Sequence, residues 1–205
     1  AERIYSDTLA YPSQPIPLHA IGYYGLSRIH FEWNQVDKAK HDLINAIRLA
    51  KQGGIESVVA VSYAQQIFVY TILKEWSEAY EAANNYEALI ARWQSTNVQQ
   101  ERLAALRAFI ALNQGSLDLV TDWIAQYKYG IHDTWNEFTV LAYDVLVQAL
   151  FALERYDDSL TLLDRIIQVD RTEKQYGRLV RLYGRRAAYL HHIGRTDAAL
   201  ESLHL

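Results

Sequence analysis

Lys174, Arg178, Arg181 and Arg185 stand four, three and four residues apart, so in a helix they share one face. Arg171, Arg186 and Arg195 lie nearby, which makes this stretch locally basic in a chain whose net charge is -4. Guanidinium groups on one face suit a carboxylate or phosphate, which arginine can grip with two parallel hydrogen bonds. A solvated helix face with scattered ion pairs has the same pattern, so both readings are open. Tracking of a nucleic-acid backbone is not expected, because the stripe is short and has no interleaved stacking residues.

Other reactive groups are sparse. His191 and His192 are adjacent, and neighbours on a helix point about 100° apart, so they cannot jointly clamp one metal. Asp37 and His41 have i,i+4 spacing but no third ligand; a local polar contact accounts for them. Asp157 and Asp158 suit a helix start, where carboxylates favour the dipole, better than a paired acid and base. No serine, histidine and acid grouping stands out. The stretch GYYG at 22–25 lacks the lysine of a phosphate loop. Cysteine is absent, which excludes disulfides and thiolate metal sites. The expectation is a binding protein with no catalytic residue, no metal site and no cofactor.

A second set of polar and aromatic residues interrupts otherwise apolar helices. Tyr24, Arg28 and Phe31 share one stripe, Gln65 and Phe68 fall near the same phase, and Asp144 and Gln148 break a later apolar run. At matching phase on successive helices these residues are expected to form one continuous groove wall, with Arg178, Arg181 and Arg185 at its basic end. Such a groove is expected to take a small-molecule inducer or a protein or peptide segment. The arginine end should prefer an acidic group, and the Tyr24–Phe31 end a planar or apolar one. Replacing Arg181 and Arg185 with alanine should weaken an anionic ligand yet leave stability nearly unchanged, since exposed arginine is seldom structural.

These side chains need helices to position them. All three prolines fall at Pro12, Pro15 and Pro17, so nothing later forbids helix. A turn, an acidic residue and a small or apolar residue recur as QVDKA, EWSEA, GSLDL, RYDDS and RTDAA. The last residues of these phrases are Ala39, Ala79, Leu119, Ser159 and Ala199, in steps of 40. Each unit reads as two helices. In EFTVLAYDVLVQALFAL the apolar residues Phe138, Leu141, Ala142, Val145, Leu146, Ala149 and Leu150 follow helical spacing, and YDDSLTLLDRIIQVD puts Leu160, Leu163, Ile166 and Ile167 on one face. A small residue at the repeat point lets helix backbones approach closely, so the larger Leu119 predicts looser packing in the third unit.

The expectation is an all-α, right-handed solenoid of about five hairpins, with helix over more than two-thirds of the chain and essentially no strand. A single domain spans 1–205: a helix remnant at 1–11, then hairpins at 17–52, 55–94, 97–130, 134–170 and 173–205. Elbows are expected near 35, 75, 115, 155 and 194. Ile4, Leu9, Leu200 and Leu203 lie on half-hairpins and should be exposed. Methionine is absent even at the start, which suggests a piece of a longer protein with neighbouring domains. The mild charge implies no global attraction to nucleic acid or anionic lipid. The most apolar run, at 58–73, is broken by Ser62, Gln65 and Gln66 and is too short and polar for a bilayer span.

The hairpins resemble tetratricopeptide repeats, whose usual unit is about 34 residues. The longer unit is similar to the sensor domain of the large ATP-dependent transcription regulators of the LuxR type, the group that includes the maltose-regulon activator. ALNQGSLDLVTDWIAQY at 111–127, EFTVLAYDVLVQALFALERYDDSLTLLDRII at 137–167 and YGRLVRLYGRRAAYLHHIGRTDAALESL at 176–203 carry the likeness. The resemblance implies a cytoplasmic, bacterial inducer-sensing or partner-binding region between a nucleotide-binding module and a helix-turn-helix domain, neither of which is here. It implies no ATP hydrolysis and no direct DNA contact by these residues. The alternative is a tetratricopeptide scaffold that grips a protein segment outside transcription regulation.

Overall fold

The computed structural model describes residues 2–9, 16–93, 97–127, 130–134 and 139–203. Pro12, Pro15 and Phe138, used above in reading the helices, lie outside them. Helix accounts for 84% of the described residues, with no strand among them. The helices are α1 (Glu2–Leu9), α2 (Ile16–Glu32), α3 (Val36–Gln52), α4 (Glu56–Ile72), α5 (Trp76–Arg92), α6 (Asn97–Asn113), α7 (Leu117–Tyr127), α8 (Val140–Ala152), α9 (Tyr156–Thr172), α10 (Tyr176–His192) and α11 (Thr196–Glu201). Pro17 sits in the first turn of α2, where a missing N–H leaves no helical bond unmade.

The chain divides into two compact units, 1–113 and 114–205. In the first, α2 packs on α1, α3 and α4, and α4 packs on α3, α5 and α6. In the second, α9 packs on α8 and α10, α10 on α11, and α7 on α8. Helices with neighbours on several sides are apolar nearly all round. In α4, Val59, Ala60, Tyr63, Ile67, Val69 and Tyr70 are all buried, and so are Ala142, Val145, Leu146, Val147, Ala149 and Leu150 in α8. The second helices α3, α5 and α9 bury one face and present a polar one.

One turn design joins the helices. Asn34, Gly54, Lys74, Glu154, Lys174 and Gly194 adopt φ of 57 to 79°. At Asn34 the N–H donates to the Phe31 carbonyl, and the next N–H, of Gln35, donates to that of His30. The same pair of bonds recurs at each of the six, which satisfies carbonyls in the last turn of α2, α3, α4, α8, α9 and α10. The residue after the left-handed one then caps the next helix through its backbone alone, with no side-chain cap bond. These turns fall every 20 residues, so elbows within hairpins and between hairpins are built alike, which the varied turn residues conceal in the sequence.

Lys74 and Glu154 carry a Cβ in this left-handed conformation, at φ 60°. That backbone costs an L-residue about 1 kcal/mol or more, and glycine far less. Lys74→Gly and Glu154→Gly are each expected to raise stability by about 0.5–1 kcal/mol, after the larger unfolded-state entropy of glycine is subtracted. Urea melts that move the midpoint down would contradict this.

The third unit departs from the even step. Second helices begin at Val36, Trp76, Leu117, Tyr156 and Thr196, so the steps are 40, 41, 39 and 40 residues. Gly115, at φ 78°, marks the shifted turn. The repeat position there is Val120, fully buried like Ala39, Ala79 and Ser159, whereas Leu119 is 58% exposed. The expected loosening at Leu119 is therefore corrected: that side chain faces outward. Ile4, Leu200 and Leu203 are exposed, and Leu9 is half-buried.

Candidate ligand-binding face on the first helices

Within the first unit, three side chains stand twelve residues past the start of their helices: Arg28 on α2, Phe68 on α4 and Phe109 on α6. Equal phase on packed helices does bring such positions together: the Phe68 and Phe109 rings lie 4.7 Å apart at 51°. Arg28 is exposed at one end of this row. Tyr24 lies one turn earlier on α2 and is half-buried, as is Gln65 on α4. Phe109 is buried behind the half-buried Phe68, so of the ring pair only Phe68 is open to solvent.

In the second unit the basic stripe of α10 is largely engaged inside the fold. Arg185 Nη1 lies 2.5 Å from Asp144 Oδ1 on α8, and both side chains are more than four-fifths buried. Asp144 interrupts the apolar run of α8 because it is the partner of this arginine. Gln148 Nε2 donates to the Asp144 carbonyl 3.2 Å away on its own helix. Arg178 Nε lies 3.1 Å from Asp170 Oδ2 on α9. Asp170 is 1% exposed, and Oδ2 accepts no aligned hydrogen bond, so that contact is one of charge alone. Burial pushes the Asp170 carboxyl above the usual aspartate value; Arg178 and Arg181 oppose the shift, and Glu173 and Asp144 add to it. Arg186 pairs with Asp164 at 2.6 Å and donates to Ser202 Oγ, and Arg195 reaches Asp157 at 3.1 Å. Arg181 is exposed on α10, and so is Lys174, which lies in the left-handed turn before the helix and not on the shared face expected from its spacing.

The expectation that alanine at Arg181 and Arg185 leaves stability unchanged is corrected for Arg185, since its side chain is not exposed and its removal strands a carboxylate more than four-fifths buried. Asp144, Gln148 and Arg185 come together on α8 and α10, Arg178 turns to α9, and Tyr24, Arg28 and Gln65 belong to the first unit.

Three features escaped the sequence reading. His30 Nδ1 lies 2.6 Å from Asp42 Oδ2, and Asp42 is buried beside Ala39 and Leu43 on the packed face of α3. Asp170 likewise falls in phase with Ile166 and Ile167. An acid on the apolar stripe of a second helix was the signal available in both cases. The third is an aromatic group on the elbow side of the fourth hairpin. Tyr189 stacks on Phe151 at 3.7 Å and 14°, while Tyr156 and His192 approach Phe151 at 4.9 and 5.3 Å. His192 is thus a ring neighbour, and His41 contacts Asn45. No group of three or more His, Cys, Asp or Glu among the described residues is placed to hold a metal ion.

Burial raises the Tyr189 phenol to about 12, and it raises Tyr70 and Tyr86 in the same direction. The folded chain therefore holds the Tyr189 proton where the unfolded chain has lost it. Stability from this group is complete below pH 10 and falls as pH rises from 10 to about 12, by about 2 kcal/mol. Tyr189→Phe is expected to flatten that part of an alkaline stability profile; an unchanged slope would assign it elsewhere.

Paired helices with one recurring turn, stacked so that their first helices share rows of side chains, define an α-solenoid of tetratricopeptide type. The chain belongs to the MalT-like TPR region family, whose model matches residues 1–205. Curated proteins offer no match. No helix among the described residues is long and apolar enough to cross a membrane.

Proposed function

We propose that the chain is the non-catalytic sensor or interaction domain of a bacterial LuxR-type transcription regulator, acting in the cytoplasm as one domain over 1–205. It binds a small-molecule inducer, or a protein or peptide segment, on the first-helix face. The candidate contacts are Tyr24, Arg28 and Gln65 in the first unit and Asp144, Gln148, Arg178, Arg181 and Arg185 in the second. The reading rests chiefly on membership of the MalT-like TPR region family over the whole chain. Arg28, Tyr24, Gln65 and Phe68 are all at least partly open to solvent on first helices, and polar groups mixed with an aromatic one are the composition of small-ligand sites. Neighbouring nucleotide-binding and helix-turn-helix domains belong to the proposal, and DNA contact would be theirs.

Thermal shift in the presence of sugars, nucleotides and unstructured peptides tests it, since a ligand of the folded state alone raises Tm. The expected outcome is a rise with one class of small molecule, and loss of that rise in Arg28→Ala/Gln65→Ala with the unliganded Tm unchanged. A response confined to peptides would replace the sensor reading with a scaffold one.

A further inference from the structure

A cavity of about 490 Å³ opens between α3, α4 and α5. The end of α3 contributes Ala50 and Lys51, the start of α4 Glu56, Val59 and Tyr63, and the end of α5 Leu89 and Arg92. Its floor is apolar and closed: Ala50, Val59, Tyr63 and Leu89 are 0, 3, 6 and 2% exposed. Its rim carries two cations and one carboxylate. Lys51 makes no ion pair among the described residues; its ammonium rests 5.4 Å from the centre of the Tyr63 ring. Arg92 lies 3.6 Å from Glu56, with side chains 67 and 47% exposed. An exposed pair at that separation is screened and weak, so the guanidinium is available to a better acceptor. Glu56 also accepts a hydrogen bond from Trp93 Nε1, which holds the carboxylate in place when Arg92 swings away.

We propose that this cavity is a second binding site, for a small organic carboxylate with a compact apolar or aromatic body. Its volume falls within the range of small-molecule pockets, about 300–1,000 Å³. The excess of cation over acid on the rim selects an anion. Arg92 offers the fork geometry that matches a carboxylate, and Lys51 the point charge opposite it. What is accessible of the cavity lining is more apolar than polar, so a ligand with a compact apolar body covers more of it than an inorganic anion does. The site shares the helix α4 with the proposed sensor face but none of its candidate contacts, so it stands or falls separately from that face.

The test is titration of the full 205-residue chain with benzoate, benzamide and inorganic phosphate, followed by calorimetry and by amide shifts at residues 50–63 and 85–92. Benzoate is expected to bind with a Kd of about 1 mM or tighter, and benzamide and phosphate at least about tenfold more weakly. Lys51→Ala and Arg92→Ala are each expected to weaken benzoate about fivefold or more, Lys51→Glu to abolish binding, and Arg92→Lys to retain part of it. Both side chains are exposed, so circular dichroism should show the fold intact in every variant. Equal affinity for benzoate and benzamide, no binding of benzoate, or benzoate binding lost in Arg28→Ala but kept in Lys51→Ala, would each overturn the proposal.

Discussion

Replacing Arg178 with alanine is expected to lower the unfolding free energy by about 3 kcal/mol at neutral pH, the range for removing one partner of a buried pair. The cause is what remains behind. Asp170 is 1% exposed, and Arg178 Nε lies 3.1 Å from its Oδ2. Without that charge the carboxylate keeps its desolvation cost and loses its main compensation; Arg181, more exposed, offsets only part. The sign of the pH dependence follows from the raised folded value. An acid that holds its proton more tightly when folded destabilises the fold once ionised, and that penalty is relieved as pH falls through the folded value toward 3.8. The cost of Arg178→Ala should therefore be smaller near about pH 5 than near about pH 7, because the stranded group protonates sooner. Asp170→Asn in the same background should recover most of the loss, since a neutral amide has no unpaired charge to bury. Chemical melts of the two single variants and the double variant at both pH values check this. A loss below about 0.5 kcal/mol that is independent of pH would mean that water reaches Asp170 and that the pair is ornamental.

The sequence disclosed the helices and their pairing because periodicity of apolar residues survives without knowledge of neighbours. EFTVLAYDVLVQALFAL reads as a buried helix whatever packs on it, and α8 from Val140 to Ala152 is one. The arginine stripe on α10 was visible for the same reason. Its chemistry was not, because the carboxylates that meet it sit on other helices: Asp144 lies 41 residues from Arg185, and Asp164 22 from Arg186. One face of one helix cannot reveal which charges lie across from it. The cavity under Lys51 and Arg92 was hidden in the same way, since its walls come from three helices and no single stretch carries its pattern. The 20-residue recurrence of the turn was concealed by chemistry as well. Asn34, Gly54, Lys74 and Glu154 share a backbone state but no side-chain type, and the turn's hydrogen bonds involve only main-chain atoms.

Ala79→Leu is expected to cost about 2–3 kcal/mol and Leu119→Ala about 0.5 kcal/mol or less, although steps of 40 make the two positions equivalent. Ala79 is fully buried, on the face of α5 turned toward its neighbours, among Ala82, Ala83 and Tyr86. Its methyl group leaves no room for three more carbons, so leucine must shift a backbone or leave its rotamer wells. The same contact at Ser159 carries a hydrogen bond from its hydroxyl to the Val147 carbonyl at 2.8 Å, which measures how closely second and first helices approach at this position. In the third unit that position belongs to Val120. The phrase GSLDL fixed the alignment on Asp118, but the helix start is set by Gly115 in its left-handed turn, one residue later than the even step requires. Leu119 consequently points to solvent, and trimming it removes little buried surface. Val120→Ala, by contrast, should cost about 1–2 kcal/mol by opening a cavity at a fully buried site. Thermal melts of the three variants rank the positions directly. If Leu119→Ala proves as damaging as Val120→Ala, the third unit keeps the even step and the register described here is wrong.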